Sequence, residues 1–185
     1  MTNNLKKLKR KRLPEWLKTP LPKTNKFFQL KSLVQKYNLN TVCESASCPN
    51  IGTCWDAGTL TFMILGDSCS RACKFCDVAT GNLIAPNPYE PKRIAETLSK
   101  LNLRYAVITS VDRDDLIDGG AEHWIKTIQL IRIQCPEMKI ETLIPDFQGK
   151  TSLVEKICEA KPDVLAHNLE TVESLQNMIR PQCRY

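Results

Sequence analysis

Nine cysteines stand in this 185-residue sequence, and six of them fall between positions 43 and 76. They form two groups of three. Cys43, Cys48 and Cys54 are separated by four and five residues, and Cys69, Cys73 and Cys76 by three and two. Thiolates serve as nucleophiles, redox centres and soft metal ligands. No apolar stretch of the secretory kind follows the basic start of the chain, so disulfides are the weaker explanation for this density and metal ligation the stronger. Structural zinc usually takes four protein ligands, often as two pairs. Each group here offers three thiols with no obvious fourth. Three thiolates on a cubane iron–sulfur cluster leave one iron open to a substrate or cofactor, which is the openness that catalysis needs. The competing reading of the spacing is that all six thiols bind zinc in a mixed arrangement. Cys135 and Cys158 lie on apolar helical stripes and are expected as small core residues, while Cys183 carries no expectation.

The elements that must position these thiols follow from hydrophobic periodicity. Short runs rich in β-branched or apolar residues at 60–65, 105–111, 139–144 and 164–169 predict four strands. Between them, Ile94, Leu98 and Leu101 share one helical face, as do Trp124, Ile128, Ile131 and Cys135, and then Leu153, Val154, Ile157 and Cys158. A fourth helix is predicted over 172–179. Strands separated by helices of this length imply crossover connections and a parallel sheet. In such folds ligands gather at the carboxyl ends of the strands, and the second cysteine group lies in the loop directly after the first strand. Four βα units cannot close an eight-fold barrel, which takes about 250 residues, so the chain is expected to be a portion of a barrel. Residues 1–40 read as a basic arm ending in one helix, 41–58 as a cysteine-bearing segment, and 59–185 as the βα domain.

The spacing Cys69-x3-Cys73-x2-Cys76, with Phe75 before the last thiol, resembles the signature of radical S-adenosylmethionine enzymes. The upstream Cys43-x4-Cys48-x5-Cys54 narrows the resemblance to the lipoyl synthase family, as do the stretches Arg71-Ala72-Cys73-Lys74-Phe75-Cys76, Ser110-Val111-Asp112-Arg113-Asp114-Asp115, Leu143-Ile144-Pro145-Asp146-Phe147-Gln148-Gly149 and His167-Asn168-Leu169-Glu170-Thr171-Val172. The match runs from about residue 13 to the end. Biotin synthase, another sulfur-inserting radical enzyme, shares the second spacing but not the first.

The resemblance implies an α/β fold, a partial (βα)6-type TIM barrel with an N-terminal cysteine-bearing extension, of which about four units are present here. It implies two [4Fe–4S] clusters and S-adenosyl-L-methionine as cofactors, and insertion of two sulfur atoms at C6 and C8 of a protein-bound octanoyl chain. Cys69, Cys73 and Cys76 would hold the cluster that cleaves S-adenosylmethionine, and Cys43, Cys48 and Cys54 an auxiliary cluster consumed as sulfur donor. Phe75 would lie against the cofactor. In the loop 112–120, Asp112, Asp114 and the backbone of Gly119 and Gly120 would meet its amino group. Asn168 and Glu170 would take the ribose hydroxyls. The plainer reading of the loop is that Asp114, Asp115 and Asp118 solvate it and cap the helix that starts near Ala121. His123 and His167 are assigned no role. The family takes the fourth ligand of its auxiliary cluster from a serine in an Arg-Ser-Ser-Tyr motif, which these residues do not contain.

Composition narrows the alternatives. With 42% hydrophobic and 25% charged residues, disordered, collagen-like and coiled-coil chains are excluded. The longest uncharged apolar run, 59–66, is too short to span a membrane. The net charge of +6 is concentrated at one end: residues 1–36 hold eleven basic residues and one acid, Glu15. That arm, including the run from Lys6 to Arg12, suits an acidic protein partner. A zinc-binding nucleic-acid module would also use the charge and the thiols, but it explains neither the βα alternation nor the missing fourth cysteine, and few aromatics interleave the basic run. Neither nucleic acid nor membrane is therefore expected as a partner. The partners that the resemblance implies are octanoylated lipoyl carrier domains, such as the E2 subunits of dehydrogenase complexes and the H protein of glycine cleavage, and an electron donor such as flavodoxin or ferredoxin. The Lys-rich, Ser-poor arm argues against a mitochondrial presequence, so the expected location is cytoplasmic, with an organellar version left open.

Overall fold

The computed structural model describes residues 14–101 and 103–183. A short 3-10 turn at Glu15–Leu17 leads to α1 (Asn25–Lys36), whose Phe27, Leu30 and Val34 recur on one stripe and are buried. Two short helices follow, α2 (Val42–Ser45) and α3 (Ile51–Ala57), the latter ended by Gly58 in the left-handed conformation at φ 80°. The sequence reading assigned no helix to 41–58, because helices of 4 and 7 residues are too short to show a periodic pattern. Trp55 of α3 is fully buried and packs on Phe27 at a ring-centroid distance of 5.4 Å. Trp16 and Leu17, by contrast, stand exposed.

The βα domain then runs β1 (Thr61–Ile64), a two-residue parallel pair β2 (Ser68–Cys69) and β3 (Ala79–Thr80), α4 (Glu90–Leu101), β4 (Tyr105–Ser110), α5 (Ala121–Gln134), β5 (Lys139–Leu143), α6 (Thr151–Glu159), β6 (Val164–Ala166) and α7 (Glu173–Ile179). The main sheet has the order β1-β4-β5-β6 and every pairing in it is parallel, so four βα units stand side by side as a partial barrel. Phe62, Ile64, Ala106, Ile108, Ile140 and Thr142 alternate along their strands and are buried among residues such as Ile94, Leu98, Trp124, Ile128 and Ile131 of α4 and α5. The other set, Thr61, Met63, Val107, Thr109 and Leu143, lines a cavity on the opposite face. In register Thr61 lies beside Val107, and Met63 beside Thr109, which lies beside Leu143, so period two alone sorts core from cavity.

Two expectations are corrected. The last strand ends at Ala166 instead of 169, because its ladder partner β5 stops at Leu143 and the chain turns through Glu170 at φ 64°. Cys158 is exposed: the buried position of α6 is Ile157, and the next residue points about 100° further round the helix. Cys135 is half-buried against the core at the C-cap of α5. Among the described residues no helix is long and apolar enough to cross a membrane, and β6 pairs on one side only.

Candidate cluster and cofactor site

The downstream cysteine loop departs from the carboxyl end of β1 through Leu65, a branched residue held at φ 71°. Its N–H donates to the buried carboxylate of Glu90 at 2.8 Å and its carbonyl accepts from Arg113 Nη1 at 2.9 Å, so both sides of the strained residue are fixed. His123 Nε2 lies 2.8 Å from the same Glu90 oxygen.

Arg71, between the first two thiols of the loop, determines where the loop sits. Its side chain is fully buried. Nε and Nη2 donate to both oxygens of Asp114 at 2.7 and 2.9 Å, and Nη1 and Nη2 to both oxygens of Asp146 at 2.9 and 2.7 Å. Nη1 also meets Cys183 Sγ at 2.8 Å and lies 3.5 Å from Asp112 Oδ1. The planar fork thus bridges the loops after β4 and β5 and the segment after α7. Burial opposes the charge on Arg71, but its bonds to Asp114 and Asp146 outweigh that cost and hold the guanidinium protonated. The aspartates divide. Burial raises the Asp112 carboxyl despite Arg71, whereas for Asp146 the hydrogen bonds from Arg71 and from the Gln148 N–H overcome burial and lower it.

The backbone of the loop is tied down as well. Ser70 Oγ donates to Asp112 O at 2.9 Å and accepts from Asp114 N–H at 3.0 Å, and Ala72 N–H donates to Gln182 Oε1 at 2.9 Å. Lys74 N–H donates to Ile179 O at 3.0 Å. Cys69 Sγ accepts N–H groups from Arg71 at 3.4 Å and Asp112 at 3.3 Å, yet burial wins and pushes this thiol up to about 11.

Beside the loop lies a cavity of about 350 Å³, within the usual range for small-molecule sites. Cys69, Cys73, Phe75, Cys76, Asp112, Asn168 and Glu170 line it together with Arg71, His167 and Arg180, and the cavity-facing strand residues form its floor. Asp114 is not in that lining, being spent on Arg71. Gly119 and Gly120 are also absent from it: a Cβ on Gly119 would fall 3.0 Å from Phe147, and one on Gly120 would overlap Leu65, so their positive φ values serve close packing under the loop. Asp118 caps α5, accepting from the Gly120 and Glu122 N–H groups at 2.9 Å each. Sequence reasoning singled out neither Arg71 nor Arg180 as a side chain. A lone arginine among cysteines gives no sign of the three strand-end loops it joins.

The upstream thiols occupy the helical extension: Cys43 on α2, Cys48 in the turn after Ser47, and Cys54 on α3. Burial first, and then the neighbouring Cys43 and Cys48, raise the Cys54 thiol. The segment is joined to the barrel by an isolated antiparallel bridge between Thr41 and Phe62 and by Ser47 Oγ donating to Asp77 Oδ2 at 2.7 Å. Val42 of α2 reaches the cavity wall. Among the described residues no three Cys, His, Asp or Glu side chains already converge on a metal-sized point, and all nine thiols are unpaired. The donor chemistry of each triad, three thiols on a short segment, fits a cluster ligand set.

Residues 63–185 match the family model of the radical SAM superfamily. The chain belongs to the radical SAM superfamily. Residues 2–48 match the N-terminal domain of lipoyl synthase of the radical SAM family. The chain is 52% identical to a lipoyl synthase of Natronomonas pharaonis over 175 residues, covering 92% of this chain and 57% of that protein. It is 50% identical to a lipoyl synthase of Flavobacterium johnsoniae over 172 residues, covering 93% and 60%, and 51% identical to one of Methanocella arvoryzae over 168 residues, covering 90% and 57%. Within the superfamily these matches make the chain similar to lipoyl synthases. It spans somewhat less than two thirds of the length of these relatives.

Proposed function

We propose that this chain carries the cluster-binding and cofactor-binding portion of a lipoyl synthase, an enzyme that inserts two sulfur atoms at C6 and C8 of a protein-bound octanoyl chain. One observation carries the reading: of two differently spaced cysteine triads, one lies in the wall of the strand-end cavity and the other on a helical segment joined to the barrel at Phe62 and Asp77, with its Val42 in the same wall. Cys69, Cys73 and Cys76 hold one [4Fe–4S] cluster, and Cys43, Cys48 and Cys54 the auxiliary one. When bound, the clusters and S-adenosyl-L-methionine supply the electron, the adenosyl radical that removes hydrogen, and the sulfur. The chain's own share is positioning and exclusion of water. Arg71 fixes the downstream loop, Phe75 and the strand residues Met63, Val107 and Leu143 give apolar walls, Asp112 presents a carboxylate toward a cationic amino group, and Asn168 with Glu170 offers an amide and a carboxylate to the ribose.

The partners in this proposal are octanoylated carrier domains, among them dehydrogenase E2 subunits and the glycine cleavage H protein, and a flavodoxin or ferredoxin as reductant. The basic arm would steer an acidic carrier, its run from Lys6 to Arg12 lying outside the described residues. A cytoplasmic setting belongs to the proposal as well, since cysteines used as metal ligands suit a compartment that keeps thiols reduced. Iron and sulfide analysis of anaerobically loaded protein tests the reading. About eight irons per chain are expected from two cubane clusters, and zinc without iron would overturn it.

A further inference from the structure

Residues 20–24 form neither helix nor strand, yet they are fastened along α3 at two places. Near the start of α3, a Cβ added to the buried Gly52 would fall 3.1 Å from Pro22 Cδ and 3.2 Å from the Pro20 carbonyl oxygen, so the missing side chain is what lets the two segments approach this closely. One turn further on, both carboxylate oxygens of Asp56 are taken by the arm. Oδ2 accepts from the Lys23 N–H at 2.8 Å, and Oδ1 from the Thr24 N–H at 3.1 Å and from Thr24 Oγ1 at 2.6 Å. Lys26 Nζ then donates to the Ala57 carbonyl at 3.3 Å, placing a cation at the carboxyl end of the helix. Among the described residues Asp56 is the only side chain of α3 that forms hydrogen bonds, and all three of them come from the arm. The helix packs chiefly on α1, into which the arm runs.

Cys54 lies between the two fastenings, two residues after Gly52 and two before Asp56. We propose that residues 20–24 are a strap that positions Cys54 in the upstream triad and lifts when that triad gains or loses its iron. The assignment rests on the cluster reading above and deepens it. Ligand exchange at Cys54 requires its sulfur to move relative to Cys43 and Cys48, and α3 is free to shift against α2 only when the strap lets go. The strap is suited to letting go. Pro20, Lys23 and Thr24 are exposed, so water replaces the bonds to Asp56 as they break. The rings of Pro20 and Pro22 restrict the backbone between the fastenings, so the segment moves as one piece. A short exposed stretch of this kind opens at far lower cost than the core strands of the barrel.

Iron release to a ferrous chelator from the anaerobically loaded full chain tests the proposal. It is followed in one background that keeps only the upstream triad, with Cys69, Cys73 and Cys76 replaced by Ala, and in another that keeps only the downstream one, with Cys43, Cys48 and Cys54 replaced. Asp56→Ala removes all three bonds and is expected to speed release from the upstream triad by at least about tenfold, with release from the downstream triad unchanged. Asp56→Asn, which keeps one acceptor oxygen, should fall between Asp56→Ala and the parent. Gly52→Ala separates a strap from plain helix stability by sign. Alanine favours a helix over glycine, so release slows if the stability of α3 governs it, and quickens if the displaced strap does. Hydrogen exchange of the metal-free chain gives a readout that needs no cluster: the amides of α3 should exchange faster in Asp56→Ala, and those of β4 and β5 as in wild type. Equal acceleration from both triads, no acceleration, slower release in Gly52→Ala, or unchanged exchange in α3 overturns the strap while leaving the cluster reading in place. Failure of the upstream triad to take up iron in the parent chain overturns the cluster reading, and the strap's role at Cys54 with it.

Discussion

The two cysteine triads are chemically alike and structurally opposite. The downstream loop is held by bonds that reach across the chain: Arg71 to Asp114, Asp146 and Cys183 spans sequence separations of 43, 75 and 112 residues. The upstream thiols ride on two short helices, and their side-chain tie to the barrel, Ser47 to Asp77, spans 30. The downstream thiols lie in the cavity wall, whereas of the upstream segment only Val42 reaches it. The lesson is one of constraint. A loop that must present a reactive centre to a ligand at a defined distance is over-determined by long-range contacts, because an error of about 1 Å in placement costs orders of magnitude in rate. Under the proposed function the upstream segment carries a cluster that is consumed, and local scaffolding of that kind could open without disturbing the barrel.

Cysteine substitution should break the comparison most completely. Replacing Cys69, Cys73 or Cys76 with Ala is expected to abolish cleavage of S-adenosylmethionine to 5′-deoxyadenosine. Replacing Cys43, Cys48 or Cys54 should stop sulfur insertion in the complete enzyme while cleavage continues. Product assays paired with iron content, about four per chain in each variant, separate the outcomes. Normal lipoyl formation by an upstream variant would show that its cluster is not the sulfur donor.

The next effect is structural. Arg71→Met leaves Asp114 and Asp146 without their common partner, and breaking a buried ion pair from one side costs about 3–5 kcal/mol. Denaturant unfolding should show a loss of that size, and the downstream cluster should be retained less well than the upstream one. Equal loss from both triads would mean that Arg71 supports the whole fold and not the loop in particular.

The smallest effect lies far from both triads, at the free edge of the sheet. Asp163 accepts hydrogen bonds from Arg132 at 2.8 Å, from Lys139 at 2.9 Å and from the Ile140 N–H at 3.0 Å, which hold its carboxyl well below the usual carboxylate range, the Arg132 bond foremost. A depressed folded value means that the stabilisation is complete above the unfolded pKa of about 3.9 and fades as pH falls below it. Asp163→Asn should therefore shallow the stability loss on acidification through that range, followed by thermal melting, without changing cluster content. If acid sensitivity is the same in both proteins, the bonds to Asp163 add nothing in solution.

Much of this was legible along the chain. The spacing of six thiols, the alternation in 61–64 and 105–110, and the helical stripes of Ile94 and Leu98 or Trp124, Ile128 and Ile131 are local patterns. Local patterns survive in a one-dimensional reading because side-chain period follows directly from backbone geometry. That is why four strands, their helices and the two triads were predicted, and why the short α2 and α3, which carry upstream thiols, were not.

What tertiary structure alone decided is where charges meet. Asp112, Asp114 and Asp118 sit within seven residues and look interchangeable in sequence. Folded, one faces the cavity, one is spent on Arg71, and one caps α5. Arg71 and Arg180 are likewise two arginines until burial gives the first its aspartates and leaves the second only carbonyls. The energy of a charge depends on partners within a few ångströms and on its removal from water, and those partners come from segments up to a hundred residues apart. Sequence by itself determined which residue types were available and on which elements they would lie. The crossing of four strand-end loops determined which of them became wall, clamp, cap or open cation.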